Sequence, residues 1–200
     1  MGAMPSLIPP VIPAGLLAAS TQPVLPTGRD LSLRPWSVRD APTIVAAYAD
    51  PVMRYWHSRT VESEVEARGL IERWRSAWSA ESGANWAIVR AVSAGDDGDV
   101  LGGIALGRID TGLGCGECAY WILPGARGGG VATRALGALA KWAFADAGFH
   151  RLSLIHSTSN EASCRVATKA GFAPEGVERS SMLHADGWHD MHVHARISDR

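Results

Sequence analysis

The sequence has few cysteines and no excess of charge of either sign. Three cysteines in 200 residues are too few for a disulfide framework, and their odd number adds to that argument. This scarcity favours a reducing compartment, so we expect the protein in the cytoplasm. Nineteen Lys and Arg against twenty Asp and Glu give a net charge of −1, without the basic excess that drives binding to nucleic-acid phosphates. We expect no nucleic-acid partner.

Charge is missing altogether from residues 1–28, which contain no Asp, Glu, Lys or Arg but six of the eleven prolines. Three of these prolines interrupt the apolar run 7–17, which excludes a secretory signal or a membrane segment. We predict a leader over residues 1–28 without regular helix or strand, either packed against the domain or loose from it. Residues 29–200, with globular composition, are expected to form a single domain.

Alternating and helical apolar patterns predict the element order β-α-α-β-β-β-α-β-α-β-β, a mixed sheet with helices on its faces. A turn over 93–98 is expected to join two of the strands into an antiparallel hairpin. The predicted helices lie near 38–55, 61–78, 130–147 and 160–170. The predicted strands lie near 31–35, 86–92, 100–106, 117–123 and 151–156, and on either side of 186–187.

A run of three glycines stands between a predicted strand and the third predicted helix. Glycines there leave backbone N–H groups uncovered at a helix N-terminus, where the helix dipole favours a negative ligand. The run is neither a P-loop nor a dinucleotide fingerprint, because the spacing of both is absent. It indicates a phosphate site, and the alternative is a flexible turn whose glycines only permit tight packing. The candidate ligands are Arg127, Gly128, Gly129, Gly130, Val131, Ala132 and Thr133.

Three segments together resemble the GCN5-related N-acetyltransferase (GNAT) family. Arg127, Gly130 and Ala132 resemble its Arg/Gln-x-x-Gly-x-Gly/Ala acetyl-CoA pyrophosphate loop. The segment 160–172 resembles the Asn-x-x-Ser-x-x-Val-x-x-Lys-x-Gly-Phe signature of the RimJ/RimL-like branch, and 116–123 resembles that branch's Glu-x-Gly-Tyr-Trp strand, with Ala119 replacing the glycine. Over residues 30–197, the resemblance implies an α/β (α+β) fold with a mostly antiparallel sheet of about seven strands and about four helices. It implies acetyl-CoA as cosubstrate.

The resemblance also implies transfer of an acetyl group to a primary amine by direct attack. Glu117 would be the general base beside the acceptor tunnel, and Ser163 would donate a proton to the leaving thiolate. A backbone N–H near Ile122 or Leu123 would bind the carbonyl oxygen, and Asn160 would hold the pantetheine arm. The structural alternatives stay open: an exposed strand carboxylate, an ordinary helix serine and a helix N-cap. For Arg127, the alternatives are a phosphate ligand and a solvated loop arginine.

The region after the first helix is expected to shape the acceptor pocket. The candidate pocket residues are Tyr55, Trp56, His57 and Trp86, with core packing as the alternative for both tryptophans. The acceptor is either a protein N-terminus or a small-molecule amine, and the acyl length and a homodimer are left open.

Two other functions compete with catalysis. A non-catalytic acyl-CoA-binding module is disfavoured because both the Glu117 base and the Ser163 donor are present. Cys115 and Cys118 could form a redox pair or half of a zinc site completed from the histidines of the C-terminal region, but no second close cysteine pair exists. We expect no metal, and we assign His192 and His194 to one face of a half-solvated edge strand. The histidines considered for such a zinc site are His184, His189, His192 and His194.

Overall fold

An eight-stranded sheet runs through the part of the chain that the computed structural model describes, residues 7–28, 30–57, 59–90 and 98–199. The strand order is β1-β2-β3-β4-β5-β6-β8-β7, and every neighbouring pair is antiparallel except β5 and β6. This confirms the predicted mixed, mostly antiparallel sheet; the predicted turn at 93–98 falls mostly outside the described residues. The strands are β1 Leu25–Pro26, β2 Leu31–Pro35, β3 Ala84–Arg90, β4 Val100–Asp110, β5 Cys115–Ile122, β6 Arg151–Ser157, β7 Ala173–His184 and β8 Gly187–Ile197.

Five α-helices accompany the sheet in the described ranges, one more than the sequence pattern predicts. The single helix predicted for 38–55 is divided at Asp50, whose backbone is extended (ψ 128°) before Pro51. The Asp50 carboxylate accepts the Met53 N–H at 2.9 Å and so starts a new helix. None of the described helices has the length and apolar character needed to cross a bilayer. The helices are α1 Ala41–Ala49, α2 Pro51–Trp56, α3 Glu64–Ser79, α4 Val131–Ala145 and α5 Glu161–Lys169.

Two hydrophobic cores lie against the sheet, and β3 contributes to both. Trp86 belongs to the larger core with Leu136 of α4, while Val89 belongs to the second core with Ile44 of α1 and Ile71 of α3. Successive side chains of a strand point to opposite faces, so a strand covered on both sides is apolar along its length. Helices therefore cover both faces of β3.

β5 and β6 separate part of the way along their length. Their parallel pairing ends at Cys118↔Leu154, after which β5 pairs with β4 alone and β6 continues beside β8. The Leu123 N–H donates to the Leu101 carbonyl on the β4 side at 2.9 Å. Because N–H groups alternate along a strand, the Ile122 N–H points to the other side, into the gap left by β6.

Part of the Pro-rich segment packs against the sheet. Ile12 is fully buried, and its N–H donates to the Thr111 carbonyl at 3.0 Å. The indole N–H of Trp86 donates to the Pro23 carbonyl at 2.8 Å. The prediction of no regular strand here is wrong for Leu25–Pro26, which pairs with β2 as an edge strand, a position that tolerates proline.

Glu81 binds this segment to the end of α3. Its carboxylate accepts the N–H groups of Gly15, Leu17 and Ala18 at 2.6, 2.7 and 3.2 Å. These hydrogen bonds, that of Gly15 foremost, lower the pKa of the Glu81 carboxyl. The segment therefore supplies both apolar contacts and satisfied backbone groups to the fold.

Neighbouring leucines test how much the Pro-rich segment stabilises the protein. Leu17 is 4% exposed in the larger core, whereas Leu16 is 47% exposed. We expect Leu17→Ala to lower the free energy of unfolding by about 2 kcal/mol or more. Leu16→Ala is expected to change it by no more than about 0.5 kcal/mol. Urea denaturation followed by tryptophan fluorescence measures both, and equal effects would show that the segment is not part of the core.

Candidate active site

A cleft of about 440 Å³ opens where β5 and β6 separate. Its walls come from α2, the end of β5, the N-terminus of α4 and one face of α5. The sequence-predicted residues among its lining are Trp56, His57, Ile122, Leu123, Arg127, Gly128, Gly130, Val131, Ala132, Thr133, Asn160 and Ser163. Those outside the lining are Tyr55, Trp86, Glu117 and Gly129.

The N-terminus of α4 presents uncovered backbone N–H groups to this cleft. Gly128 and Gly130 have φ values of +80° and +74°, a conformation that favours glycine. Gly130 is the N-cap, and no side chain among the described residues caps the helix. The N–H groups of the first turn, beginning at Val131, are therefore available to an anion, which the helix dipole also favours.

Arg127 joins two walls of the cleft. Its Nε donates to the Ile122 carbonyl at 3.0 Å, and its Nη2 donates to Oδ1 of Asp50 at 2.7 Å. The guanidinium beside Asp50 lowers the pKa of that carboxyl. The sequence analysis considers Arg127 as a phosphate ligand or as a solvated loop arginine, and neither alternative includes these contacts within the protein. The contacts connect the glycine loop to Asp50, the N-cap of α2.

Tyr120 and Ser163 form a hydrogen-bonded pair inside the cleft. The Tyr120 hydroxyl lies 3.0 Å from the Ser163 Oγ and donates to it. Burial raises the pKa of Tyr120, so the phenol stays protonated at neutral pH. Asn160 accepts the Ser163 N–H at 3.0 Å and caps α5, the role its helix position predicts, while also lining the cleft.

Tyr120 lines the cleft, although the sequence analysis assigns it no role. The available signal is its place in the segment that resembles the Glu-x-Gly-Tyr-Trp strand. Of the two predicted backbone donors on this strand, the Leu123 N–H already donates to Leu101. Ile122 is the one whose N–H faces the gap.

Glu117 lies outside the cleft. It is three residues from Tyr120 on a strand, so the two side chains point to opposite faces of the sheet. Its carboxylate lies in a separate shallow depression with Ser153, 3.7 Å from the Arg108 Nε, and its side chain is 26% exposed. Glu117 and Ser163 therefore line different cavities, and the predicted role of Glu117 as the base beside the acceptor tunnel stays a prediction.

The aromatic candidates divide into three groups. Trp56 and His57 line the cleft, and burial lowers the pKa of His57. Tyr55 instead turns outward, and its hydroxyl donates to Asp186 at 2.6 Å. Trp86 is fully buried and packs against other core tryptophans, so its assignment to the substrate pocket is wrong.

A chain of polar contacts ties the turn between β7 and β8 to α2. The Nδ1 of His189 lies 2.8 Å from the Ser157 Oγ, and its Nε2 lies 2.9 Å from Asp186 Oδ1. Asp186 also accepts the Tyr55 hydroxyl, which lowers the pKa of that carboxyl. These contacts hold the strand end beside the helix that bears Trp56.

The cysteine pair and the histidines of β8 were both considered as possible zinc ligands. Cys115 and Cys118 are three residues apart on one strand and face opposite sides of the sheet, so they cannot bind one ion together. Burial of Cys118 raises the pKa of its thiol. β8 lies between β6 and β7, and His194 is 2% exposed, so the prediction of a half-solvated edge strand for His192 and His194 is wrong.

The comparisons with known proteins agree with the fold. Residues 30–173 match the family model described as an acetyltransferase (GNAT) domain, and the chain belongs to that family of acetyltransferases. A curated relative, the uncharacterized N-acetyltransferase YoaA of Bacillus subtilis (strain 168), is 29% identical over 89% of this chain and 98% of its own length.

Solved structures of the RimJ/RimL-like branch share the fold. RimL, a ribosomal L7/L12 alpha-N-protein acetyltransferase solved with coenzyme A, has a TM-score of 0.80 at 19% identity, covering 88% of this chain and 99% of its own. Mycobacterium smegmatis RimJ in complex with CoA-disulfide has a TM-score of 0.78 at 23% identity, covering 89% of this chain and 87% of its own.

Proposed function

We propose that this GNAT protein transfers the acetyl group of acetyl-CoA to a primary amine, either a protein N-terminus or a small molecule. The observation that carries the proposal is the presence, in one cleft, of uncovered helix N–H groups and a Tyr120–Ser163 hydrogen-bonded pair. The first suits a diphosphate and the second suits a leaving thiolate.

The chain holds the cosubstrate by backbone groups. The first-turn N–H groups of α4 take the pyrophosphate, and the exposed edge of β5 pairs with pantetheine amides much as an added strand would. The amide of Asn160, which lines the same cleft, reaches the pantetheine arm. Support comes from the relatives RimL and RimJ, both solved with coenzyme A forms.

Two groups of the protein stabilise the negative charges that develop on the carbonyl oxygen and on the leaving sulfur. As the amine nitrogen bonds to the acetyl carbon, the Ile122 N–H donates to the carbonyl oxygen. When the carbon–sulfur bond breaks, the Ser163 hydroxyl gives its proton to the thiolate. Because the Tyr120 hydroxyl donates to Ser163 Oγ, the serine proton is free for the sulfur. After transfer, Tyr120 passes its own proton to Ser163 and regains one from solvent.

The amine must lose a proton, since a lysine ammonium has a pKa near 10.4 and a chain terminus one near 8. We keep Glu117 as the general base. Its carboxylate lies in a separate depression, so the proton passes to it through water.

Trp56 and His57 form the wall of the cleft nearest α2 and are proposed to contact the acceptor. RimL is named for acetylation of the ribosomal protein L7/L12, which makes peptide N-termini the first acceptors to test.

The function is tested by mixing the full chain with acetyl-CoA and a panel of amines and measuring released coenzyme A thiol. The panel contains peptides with free N-termini, matched peptides with blocked N-termini, amino acids and polyamines. We expect release with at least one free amine and none with blocked peptides. Coenzyme A binding without turnover across the panel would favour the non-catalytic module instead.

Gly130→Ala tests whether the glycine loop and the first turn of α4 bind the phosphates. Alanine at φ +74° is strained by about 1–2 kcal/mol, which favours a shift of the loop away from the binding conformation. We expect the Kd for coenzyme A to rise about tenfold, measured by isothermal titration calorimetry. Gly125→Ala is the control, because its Cβ meets no atom within 4 Å and its backbone lacks a positive φ. An unchanged Kd for Gly130→Ala would contradict phosphate binding at this loop.

Ser163→Ala and Tyr120→Phe test proton donation to the thiolate. We expect Ser163→Ala to lower kcat by about 100-fold and Tyr120→Phe by less, with the Kd for acetyl-CoA nearly unchanged. The double variant should lose less than the sum of the two single free-energy changes, because the hydroxyls act in series. Ser159→Ala, an exposed serine outside the cleft lining, is the control. Full activity of Ser163→Ala would exclude this role.

Glu117→Gln tests the base. We expect turnover to fall by about 100-fold near neutral pH with the Kd for acetyl-CoA unchanged. The deficit should shrink as pH rises towards the pKa of the amine, because the acceptor then deprotonates without help. Rates measured from acid to alkaline pH check this, with the exposed Glu178→Gln as control. A profile identical to that of the unmodified protein would remove Glu117 as the base.

A further inference from the structure

A cluster of three histidines and one cysteine lies between α5 and the sheet, outside the cleft lining. His156, Cys164, His192 and His194 each offer one nitrogen or sulfur atom, and these atoms all lie within 4.8 Å of one another. His156 and His194 are buried, with 6% and 2% of their surface exposed. Imidazole nitrogen and thiolate sulfur are ligands that zinc prefers.

The fold brings these four residues together from three elements. His156 on β6 pairs directly with His192 on β8, and His194 lies two residues further along β8 on the same face. α5 supplies Cys164. The ring centroid of His156 lies 5.4 Å from that of His192 and 5.1 Å from that of His194.

Three nitrogens of the cluster are buried without a hydrogen-bond partner among the described residues. They are Nε2 of His156, Nδ1 of His192 and Nε2 of His194. Each unpaired buried polar atom costs about 1–3 kcal/mol, so three in one place are unfavourable unless something binds them.

The remaining hydrogen bonds leave two of these nitrogens ready to act as ligands. The Nδ1 of His156 lies 2.8 Å from the Ser157 carbonyl, and the Nδ1 of His194 lies 3.4 Å from the Phe172 carbonyl. A carbonyl only accepts, so each Nδ1 carries the proton and each Nε2 keeps its lone pair. Metal-binding histidines commonly have such a second hydrogen bond, which fixes the tautomer.

We propose that His156, Cys164, His192 and His194 bind a divalent transition metal, Zn²⁺ first, in a closed tetrahedral structural site. Zinc bonds of about 2.0–2.3 Å place tetrahedral ligand atoms about 3.3–3.8 Å apart, so contraction of about 1 Å completes the site. Binding deprotonates Cys164 and releases its proton to solvent, while the histidines bind as neutral imidazoles. With four protein ligands the metal takes no substrate.

The metal fixes α5 to β6 and β8. Ser163 precedes Cys164, so the site also sets the position of the Tyr120–Ser163 pair. This inference does not depend on the proposed function, because it rests on the cluster alone.

The test uses the full chain after treatment with a chelator. Zn²⁺ is titrated against a chromophoric competitor, and bound metal is counted by inductively coupled plasma mass spectrometry after desalting. We expect one tightly bound Zn²⁺ per chain. Co²⁺ in its place should give the absorption of a tetrahedral complex with a thiolate-to-cobalt charge-transfer band. Failure of the unmodified protein to retain Zn²⁺, or a cobalt spectrum without thiolate, would overturn the proposal.

Cys164→Ser and His192→Ala identify the ligands. Both are expected to weaken Zn²⁺ binding by at least about 10-fold, and Cys164→Ser to remove the charge-transfer band. Cys115→Ser is the matched control, a half-exposed free cysteine on another element. At one fixed Zn²⁺ concentration, the Tm of the unmodified protein and of Cys115→Ser should rise by the same amount, and that of Cys164→Ser by less. Unchanged Zn²⁺ affinity and cobalt spectrum in Cys164→Ser would exclude this ligand set.

Discussion

The parallel pairing of β5 with β6 stops at Cys118↔Leu154, and the cleft exists because it stops there. Past that point β5 keeps only β4 as a neighbour, so one side of its backbone has no strand to bind. Unpaired backbone groups inside a protein are costly, and a bound ligand with amides of its own can satisfy them. The glycine loop and the start of α4 follow the same strand. The free edge of β5 and the uncovered N–H groups of α4 therefore lie together where the sheet is interrupted.

Much of the fold follows from local patterns. The order of strands and helices, the glycine loop and the helix that follows it can be predicted from the sequence because each depends on neighbouring residues. The break at Asp50 was missed, although Pro51 carries the signal. Local patterns do not decide whether the Pro-rich segment packs against the domain, because its partners, such as Glu81 and Trp86, are more than sixty residues away.

The site was predicted less completely, for geometric reasons. The residues of the glycine loop, except Gly129, line the cleft as predicted, because a loop that leads directly into a helix has few alternative positions. Side chains along β5 point alternately to the two faces of the sheet. Glu117 and Tyr120 are three residues apart, so they lie on opposite faces. The Tyr120–Ser163 contact spans 43 residues and the Arg127–Asp50 contact spans 77, and no spacing rule along the chain reveals either.

α5 shows how one short helix serves two neighbours. Ser163 meets Tyr120 at the cleft, whereas Cys164 meets the histidines on the sheet. Consecutive residues of a helix are about 100° apart around its axis, so they reach different surroundings. Within α5 Ala167 is buried and Val166 packs against the larger core, while the rest of the helix is more exposed. A metal ion bound by Cys164 and the three histidines would join the helix to the sheet at the residue next to Ser163. Small displacements of Ser163 matter most to proton transfer.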